Sequence, residues 1–354
     1  MSSAAPVSAP SRPQAILDSA DRTPLWEYVR ASGLRSVVMG ASKDPNAKVT
    51  VLLVSRTSGL PVLAVKAPTT DRAAEAVEAE ATILVELAES GLGGIGETIP
   101  RVVDIVDLDG RAAVVLTAVQ GTPMSTLYLR RRHTASPDRA AADFGAVERW
   151  LAAFQAGSAA APDPVDMGSA AVSRLRVRFD GEDGLDGDLE RLAETCARLA
   201  QYEVPRTVVH GDLWFGNLLV ANGKVSGVVD WEAAATSGEP VRDIVRFALM
   251  YALYLDCRTH SGRRVARHPG LTAGAWGAGV EYALAGSGRF PDLFQRFVGD
   301  GLARLGVARS CWRDAALAGI AEVAALTDDD EFARRHLELF RRVSRTSGAR
   351  EGAR

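Results

Sequence analysis

Residues 207–231, TVVHGDLWFGNLLVANGKVSGVVDW, constrain the fold more than any other part of this chain. They contain three short apolar runs, a polar loop after the first run and an Asn-Gly pair between the second and third. Asn-Gly between two apolar runs is the strongest short-range signal for a two-residue β-hairpin. The stretch therefore predicts a hairpin with two polar side chains, Asn217 and Asp230, set among apolar neighbours.

The register of this hairpin predicts which side chains share a face. If Ala221 faces Lys224 across the two-residue turn, Asn217 faces Val228, provided that no bulge intervenes. Side chains alternate along a strand, so Asp230 lies on the same face as Asn217. Diagonal pairs are roughly 7–8 Å apart by backbone and closer at the side-chain tips. An amide oxygen and a carboxylate so placed can hold Mg²⁺, which prefers oxygen ligands.

Asp212 precedes Asn217 by five residues and follows the apolar run TVV. A carboxylate in this loop can reach the same cleft without being a metal ligand, which suits a catalytic base or a group that orients a hydroxyl. In phosphoryl transfer such an aspartate positions the attacking hydroxyl while metal ions and a lysine hold the phosphates. The alternative is that His-Gly-Asp is a polar strand end in which Asp212 caps backbone amides. A lone His-x-Asp is a weak signal, whereas the full pattern is specific.

A second pair of residues stands out nearer the N-terminus. Residues 71–90 have the periodicity of an amphipathic helix, and Glu80 is the one carboxylate centred on its apolar face. A buried carboxylate needs a cationic or hydrogen-bonding partner, and Lys66 is the nearest lysine in sequence. The alternatives are a solvated helix edge at Glu80 and a solvated strand end at Lys66.

Patterning divides the chain into two parts of different character. Upstream of Gln120, strand-like runs with period-2 alternation flank the helix at residues 71–90; downstream, helical periodicity dominates. This organisation predicts an α+β protein with an N-terminal lobe at residues 23–119 and a helical lobe at residues 120–345. Residues 1–22 and 346–354 are predicted to be disordered tails.

Composition narrows the function classes. Hydrophobic residues make up 47% of the 354 residues and the formal net charge is -3, so no polyanion signal points to a nucleic-acid partner. No apolar run is long enough to predict a membrane span. The three cysteines are widely spaced, which favours a reducing compartment over a disulfide framework. We therefore expect a cytoplasmic protein.

The motif HGDLWFGNLLV followed by GVVDWE resembles the aminoglycoside phosphotransferase family, which includes choline- and fructosamine-kinase-like relatives of the protein kinases. The resemblance implies a two-lobed, protein-kinase-like α+β fold. Its N-lobe would be a small antiparallel sheet with one helix, and its C-lobe larger and mainly helical. It also implies ATP and Mg²⁺ as cofactors and a small-molecule hydroxyl as the acceptor.

Residue by residue, the resemblance implies the following roles. Asp212 matches the catalytic base, Asn217 and Asp230 match the Mg²⁺ ligands, and Lys66 and Glu80 match the lysine on the nucleotide phosphates and its ion-pair partner.

The resemblance also extends to the loops that would hold the nucleotide. Ser42 lies in the nucleotide loop, residues 117–119 match the linker that holds the adenine through Thr117 and Val119, and Asp243 matches a structural aspartate that braces the catalytic loop. Two features depart from the protein kinases: the nucleotide loop has a single glycine, and the motif at Asp230 is DWE rather than DFG, with no A-P-E segment after it. A protein substrate is therefore not expected.

The sequence leaves the chemical identity of the acceptor undetermined. A polycation such as an aminoglycoside would need carboxylates, for which the candidates are Glu232, Glu239 and residues 328–331. The basic segments favour a neutral or anionic acceptor instead, or are simply solvated; they comprise residues 130–132 and Arg258, Arg263, Arg264 and Arg267. Trp276, Tyr282, Phe290 and Phe294 are candidates for stacking on a sugar, with helix packing as the alternative.

Two other function classes fit parts of the pattern. One is a nucleotide-binding pseudokinase that scaffolds other proteins, against which stands the presence of Lys66, Asp212, Asn217 and Asp230 together. The other is a metal-dependent hydrolase that would also use His210, for which the sequence shows no second ligand cluster.

Overall fold

The computed structural model describes residues 29, 31–41, 47–108 and 110–345. The chain forms two compact units, Met1–Gly121 with Ser226–Glu232, and Thr122–Val225 with Ala233–Arg354. The first stretch of the chain leaves unit 1 at Gly121, two residues after the predicted lobe boundary. The return of Ser226–Glu232 to unit 1 was not predicted. Ser42 and the predicted tails at residues 1–22 and 346–354 lie outside the described residues.

Unit 1 is built on a five-stranded antiparallel sheet with the order β1-β2-β3-β5-β4. Its strands are β1 (Leu34–Ala41), β2 (Lys48–Ser55), β3 (Pro61–Pro68), β4 (Val102–Leu108) and β5 (Arg111–Thr117). Leu63 and Val65 are buried on either side of the half-buried Ala64 of β3, and they pack with Ala113 and Val115 of β5 in the core. The period-2 pattern of these strands therefore places one face of the sheet in the core.

One long helix, α1 (Asp71–Glu89), packs on this sheet and is followed by a 3₁₀ turn at Gly93–Thr98. Thr70 caps the helix, because its hydroxyl oxygen accepts a hydrogen bond from Ala73 N at 3.1 Å. The apolar face that periodicity predicts is buried and consists of Ala73, Val77, Ala81, Leu84 and Leu87, with Glu80 among them.

Unit 2 is mainly helical. Its helices are α2 (Met124–Tyr128), α3 (Pro137–Gly157), α4 (Ser169–Arg178), α5 (Leu185–Leu199), α6 (Val241–Leu253), α7 (Ala278–Ala285), α8 (Arg289–Arg304), α9 (Trp312–Leu326) and α10 (Asp330–Arg345), with a 3₁₀ turn at Arg309–Cys311. α6 is buried along most of its length and contacts α7, α8 and α9. The predicted α+β class with a sheet region followed by a helical region is confirmed.

Short strands frame the central stretch of the sequence. They are β6 (Thr122–Pro123), β7 (Pro162–Pro164), β8 (Glu203–Pro205), β9 (Thr207–Val209), β10 (Leu218–Ala221), β11 (Lys224–Val228) and β12 (Ala235–Gly238), in sheets ordered β11-β10-β6, β12-β9 and β7-β8. Asn222 and Gly223 form the turn between β10 and β11, both with positive φ, as the Asn-Gly pair predicts. None of the described helices has the length and hydropathy that crossing a membrane requires.

Candidate active site

In unit 1, the predicted pair Lys66 and Glu80 forms a buried ion cluster with Asp230. Lys66 lies near the end of β3 and is 5% exposed, and Glu80 on α1 is 1% exposed. Lys66 Nζ lies 2.7 Å from both carboxylate oxygens of Glu80 and 2.5 Å from Asp230 Oδ1. The structure thus brings together three residues that are up to 164 positions apart in sequence.

Electrostatics keep Lys66 charged in this cluster. Burial alone lowers the pKa of Lys66, but the attraction and hydrogen bonds of Glu80 and Asp230 outweigh it, so the pKa is raised above its usual value. Glu80 Oε1 also accepts a hydrogen bond from the backbone N–H of Trp231 at 3.0 Å. Glu80 therefore fixes both the ammonium group and the residue that follows Asp230.

Asp230 has an unusual backbone and a second cationic neighbour. Its φ is 63°, in the left-handed region that aspartate enters more readily than most residues other than glycine. Lys48 Nζ is 3.8 Å from Asp230 Oδ1 and also pairs with Glu232. Sequence reasoning missed Lys48, although a signal exists: Lys48 lies two residues before Thr50, the partner of Lys66 across the β2–β3 pair, and so shares its face.

Two of the three backbone N–H groups of the predicted adenine linker, residues 117–119, make hydrogen bonds within unit 1. Thr117 N donates to Arg101 O at 2.9 Å, and Ala118 N donates to Val62 O at 2.9 Å. The N–H of Val119 makes no hydrogen bond to any described residue, so it is free to donate to a ligand.

In unit 2, the loop between β9 and β10 carries Asp212 and Asn217. Arg246 of α6 donates from Nε (3.0 Å) and Nη2 (2.6 Å) to the same oxygen, Asp212 Oδ1. Asn217 donates from Nδ2 to the backbone carbonyl of Asp212 at 3.0 Å, with a longer contact of 3.4 Å to Oδ2. The amide nitrogen of Asn217 thus holds the loop, and its amide oxygen is the atom that could meet a cation.

Asp243, at the start of α6, braces this loop as the resemblance implies. It is 1% exposed and accepts hydrogen bonds from His210 N at 2.7 Å and Gly211 N at 2.9 Å. Burial is the largest influence and raises the pKa of Asp243; His210, the two backbone donors and Arg242 offset only part of that rise. The φ of Gly211 is +79°, and a Cβ there would lie 2.1 Å from Ala233 O, so only glycine fits between the brace and Asp212.

Two aromatic rings lie close to the Asp212–Arg246 pair. Trp214 and Tyr254 are stacked with ring centroids 6.1 Å apart; Trp214 is half-buried and Tyr254 is exposed. The pKa of Tyr254 is raised, mainly by burial, with opposing influences from Arg246 and Asp212 that place the phenol in the field of that pair. Phe215, by contrast, is buried and stacks on Tyr128 at 4.2 Å, so it anchors the loop.

A cavity of about 280 Å³ opens beside Asp212. It contains the Asp212–Arg246 pair and a second ion pair, in which Arg242 Nε and Nη2 lie 3.1 and 2.9 Å from the two carboxylate oxygens of Glu322. Two arginines and two carboxylates balance in charge. The rest of the lining is Gly211, Ala233, Gly319, Val323, Leu326 and Thr327. Sequence reasoning missed both arginines, although their i, i+4 spacing on α6 puts them on one face.

The carboxylates singled out from the sequence as acceptor ligands do not line this cavity. Glu232 pairs with Lys48 in unit 1. Glu239 is buried; its carboxylate accepts from Asp166 N at 2.9 Å and pairs with Arg206 at 3.2 Å. Asp329 accepts from Phe332 N at the start of α10, while the two acidic residues after it pair with Arg178 and Arg335.

The aromatic residues that were candidates for stacking on a sugar contribute to packing between helices instead. Tyr282, Phe290 and Phe294 are buried in the helical core, and Trp276 packs against Phe332 and His336. Arg258, Arg263 and Arg264 do not line the cavity beside Asp212 either.

Asn217 belongs to unit 2 and Asp230 to unit 1, so their joint Mg²⁺ site stays a prediction. The described residues contain no group of three or more His, Cys, Asp or Glu side chains that could hold a metal ion.

Comparison with known proteins agrees with the observed fold. Three solved structures share the fold, each with a TM-score of 0.52. The first is a thermostable mutant of apo aminoglycoside phosphotransferase APH(4)-Ia, which is 11% identical over 90% of this chain and 98% of its own, and the second is macrolide 2'-phosphotransferase type I, which is 15% identical over 89% and 95% of the two chains. The third is another thermostable mutant of APH(4)-Ia, in ternary complex with AMP-PNP and hygromycin B, which is 12% identical over 88% of this chain and 93% of its own. No curated protein sequence matches this chain.

The profile of the phosphotransferase enzyme family (APH) matches residues 47–276, which is more than half of the chain. The matched segment includes Lys66, Glu80, Asp212, Asn217, Asp230 and Asp243. The chain therefore belongs to the phosphotransferase enzyme family, and it is a small-molecule kinase.

Proposed function

We propose that this protein transfers the γ-phosphate of ATP, with Mg²⁺, to a hydroxyl of a small molecule, and that Asp212 is the catalytic base. The observation that carries the proposal is the buried Lys66 ammonium held by both Glu80 and Asp230. A fixed, fully charged lysine next to a carboxylate provides what a nucleotide triphosphate needs, a cation for its phosphates and an anionic ligand for its metal ion.

In this proposal each cofactor contact has its own residues. Lys66 holds the nucleotide phosphates, with Ser42 in the preceding loop. Asp230 and the amide oxygen of Asn217 are the Mg²⁺ ligands, since Mg²⁺ takes oxygen donors and keeps waters and phosphate oxygens for the remainder. Val119, whose N–H has no described partner, and Thr117 hold the adenine.

The contacts of Asp212 support its role as base. Arg246 occupies Oδ1 with two hydrogen bonds, and the other oxygen, Oδ2, has only the long contact to Asn217. No other described residue makes a hydrogen bond to Oδ2, which is therefore the oxygen that can accept the hydroxyl proton of the acceptor. Arg246 fixes the orientation of the carboxylate and stabilises its charged form before transfer.

The charges that line the cavity beside Asp212 restrict the chemical class of the acceptor. The structurally similar enzymes are named for aminoglycosides and macrolides, and one is in complex with hygromycin B. Here the cavity contains two arginines and two carboxylates that already neutralise each other, so it does not present the acidic surface that a polycation requires. We therefore propose an uncharged or anionic hydroxyl compound, with a sugar-like ring against Trp214 and Tyr254.

Nucleotide binding tests the cofactor part of the proposal. Thermal unfolding of the full chain should shift upward with ATP and Mg²⁺ together. Asp230→Ala should abolish the Mg²⁺-dependent part of the shift, while Asp107→Ala, which removes an exposed carboxylate of the same unit, should retain it. No effect of ATP on the parent protein would contradict the kinase assignment.

An acceptor screen tests the substrate part. ATP consumption should be measured with neutral sugars, sugar acids, macrolides, amino alcohols, nucleosides and aminoglycosides. Turnover confined to polycationic aminoglycosides would contradict the proposed acceptor class. Mg²⁺-dependent ATP binding without turnover on any of them would instead favour a pseudokinase.

A further inference from the structure

Unit 2 contains a second cavity, about 590 Å³ in volume, which we call the arginine cavity. Its charged lining is entirely cationic, and its lining residues are Arg131, Arg132, Arg139 and Arg267 with Ala135, Ser136, Pro137 and Ala266. It shares no residue with the cavity beside Asp212. The proposed kinase reaction assigns it no role.

The four arginines of this cavity lack compensating charge. None of their guanidinium groups makes an ion pair or a hydrogen bond with another described residue, whereas those of Arg242 and Arg246 are each paired with a carboxylate. Asp138 stands in the same first turn of α3 but does not line the cavity. Like charges gathered at one concave surface repel each other, so an anion bound among them would gain from all four.

The two loops that carry Arg131, Arg132 and Arg267 are held by hydrogen bonds of two buried histidines. His133 Nε2 lies 2.7 Å from Asp143 Oδ2, which fixes the loop before α3. His268 donates from Nε2 to Thr134 O at 3.1 Å, which fastens the loop of Arg267 to it. Both histidines are buried. These contacts hold the backbone of both loops in place, so a ligand has to order only the exposed arginine side chains.

The backbone at this cavity has two further features of a ligand site. Arg132 and Arg267 have φ values of 62° and 67°, an uncommon left-handed conformation for arginine, and such conformations cluster at ligand clamps. In addition, α3 begins here: Pro137 is its first residue and the side chain of Ser136 makes no capping hydrogen bond. The free backbone N–H groups of a 21-residue helix add to the positive potential.

We propose that the arginine cavity binds a compact anion that carries two or more phosphate groups. Guanidinium groups match phosphate oxygens with paired hydrogen bonds, and four of them can serve two phosphates at once. The volume falls in the range of small-molecule pockets. Inorganic pyrophosphate and a sugar bisphosphate share this chemistry, and their relative affinities distinguish a free polyphosphate from a phosphorylated metabolite.

Calorimetric titration of the full chain with pyrophosphate at about 0.15 M salt, without Mg²⁺, tests the proposal. Binding should weaken about 100-fold in the double variant Arg132→Gln/Arg267→Gln, because each lost charged hydrogen bond costs roughly tenfold. The matched control is Arg130→Gln, which removes an exposed arginine of the same loop that does not line the cavity, and its affinity should equal that of the parent.

Three outcomes would overturn the proposal. The parent protein could fail to bind either phosphate probe, or the double variant could bind as tightly as the parent, which would assign the anion to another site such as Lys66. Citrate could also bind as tightly as pyrophosphate and the bisphosphate, which would show a general anion surface without preference for phosphate. Circular dichroism of the variants shows whether they fold.

Discussion

Asp212 is a carboxylate whose two oxygens have different surroundings: Arg246 fixes Oδ1 with two hydrogen bonds, and Oδ2 has a long contact of 3.4 Å to Asn217 Nδ2. We expect Asp212→Asn to lower kcat by about 10²- to 10⁴-fold, because an amide cannot accept the hydroxyl proton. The Kd for ATP with Mg²⁺ should stay within about twofold of the parent, because Asp212 is not a proposed ligand of either. Steady-state kinetics on the acceptor found by the screen, together with nucleotide titration, measure both quantities. Full turnover in this variant would remove Asp212 from the chemistry.

Gly211 makes the position of Asp212 possible. Gly211→Ala adds a Cβ that meets Ala233 O at 2.1 Å in a backbone conformation that alanine avoids. We expect the free energy of unfolding to fall by about 1–3 kcal/mol and kcat to fall as well, since the loop must move at the residue before Asp212. Chemical denaturation and kinetics on the same preparations test this.

Gly223 is the matched control for Gly211. Its φ is +71°, close to that of Gly211, but a Cβ there meets nothing within 4 Å. Gly223→Ala should therefore lose stability by about 1 kcal/mol without losing kcat. If both variants kept the parental kcat, the close approach at Gly211 would have no bearing on Asp212.

At the scale of elements, α6 carries most of the proposed acceptor side of the site. Asp243 braces the loop that carries Asp212, Arg246 orients Asp212, and Arg242 pairs with Glu322 of α9. The helix can serve all three because its remaining faces are buried, and α9 reaches it closely at Gly319, where a Cβ would lie 2.4 Å from Val245 Cγ1. The helix pair therefore positions Asp212 and shapes the cavity together.

We expect Gly319→Ala to destabilise the protein by about 1–3 kcal/mol, because the β-branched Val245 is fully packed and cannot yield easily. The KM for the acceptor should also rise, since Gly319 lines the cavity beside Asp212. The control is Gly299→Ala on α8, where the nearest atom to a new Cβ is 3.5 Å away. There the helix propensity of alanine should leave stability unchanged or raise it by up to about 1 kcal/mol. Equal loss of stability in both variants would show that close packing at Gly319 is not the cause.

Element patterns in the sequence predict those parts of the site that depend on local periodicity. The 3.6-residue period identified Glu80 as a buried carboxylate on α1, and the Asn-Gly pair identified the β10–β11 turn. Strand alternation and i, i+4 spacing indicate the faces on which Lys48 and Arg242 lie, but neither pattern identifies their partners. Those partners, Glu232 and Glu322, are far along the chain, and a charged residue with a distant partner has the same local signature as a solvated one.

At the scale of the whole molecule, one buried histidine should make stability depend on pH. His336 on α10 packs against Trp276 and Phe332 and donates from Nδ1 to Phe332 O at 2.9 Å. Burial, the largest influence, lowers the pKa of His336 to about 4; the Phe332 carbonyl opposes this and Arg246 adds to it. The folded protein therefore keeps this imidazole neutral at a pH where the unfolded chain takes up a proton.

The direction of this pH dependence follows from the difference between the pKa of His336 in the folded and unfolded states. Above pH 6.5 both states are neutral and His336 has no effect, and as pH falls from 6.5 toward 4 stability is lost. Between pH 7 and pH 5 the loss due to His336 should be about 2 kcal/mol. His336→Leu should remove that part of the loss in urea denaturation at the two pH values, whereas His260→Gln, at an exposed position, should keep it. An unchanged pH dependence in His336→Leu would exclude this histidine as the cause.

The predicted division of the chain rests on local periodicity. A change from strand-like to helical patterning places a boundary near Gln120, because local periodicity carries that information. The membership of Ser226–Glu232 in unit 1 depends on the bond from Trp231 N to Glu80 and on the ion pair of Asp230 with Lys66, which no local pattern encodes.

Because Ser226–Glu232 belongs to unit 1, it determines how fragments of the protein should be designed. A fragment that stops at Gly121 would contain Lys66 and Glu80 but not Asp230, and so would lack one of the two carboxylates that hold the ammonium. A self-sufficient nucleotide-binding fragment would need Ser226–Glu232 joined back through a linker or supplied as a peptide. The same seven residues would then be a short segment that can be expressed separately and that restores the unit by complementation.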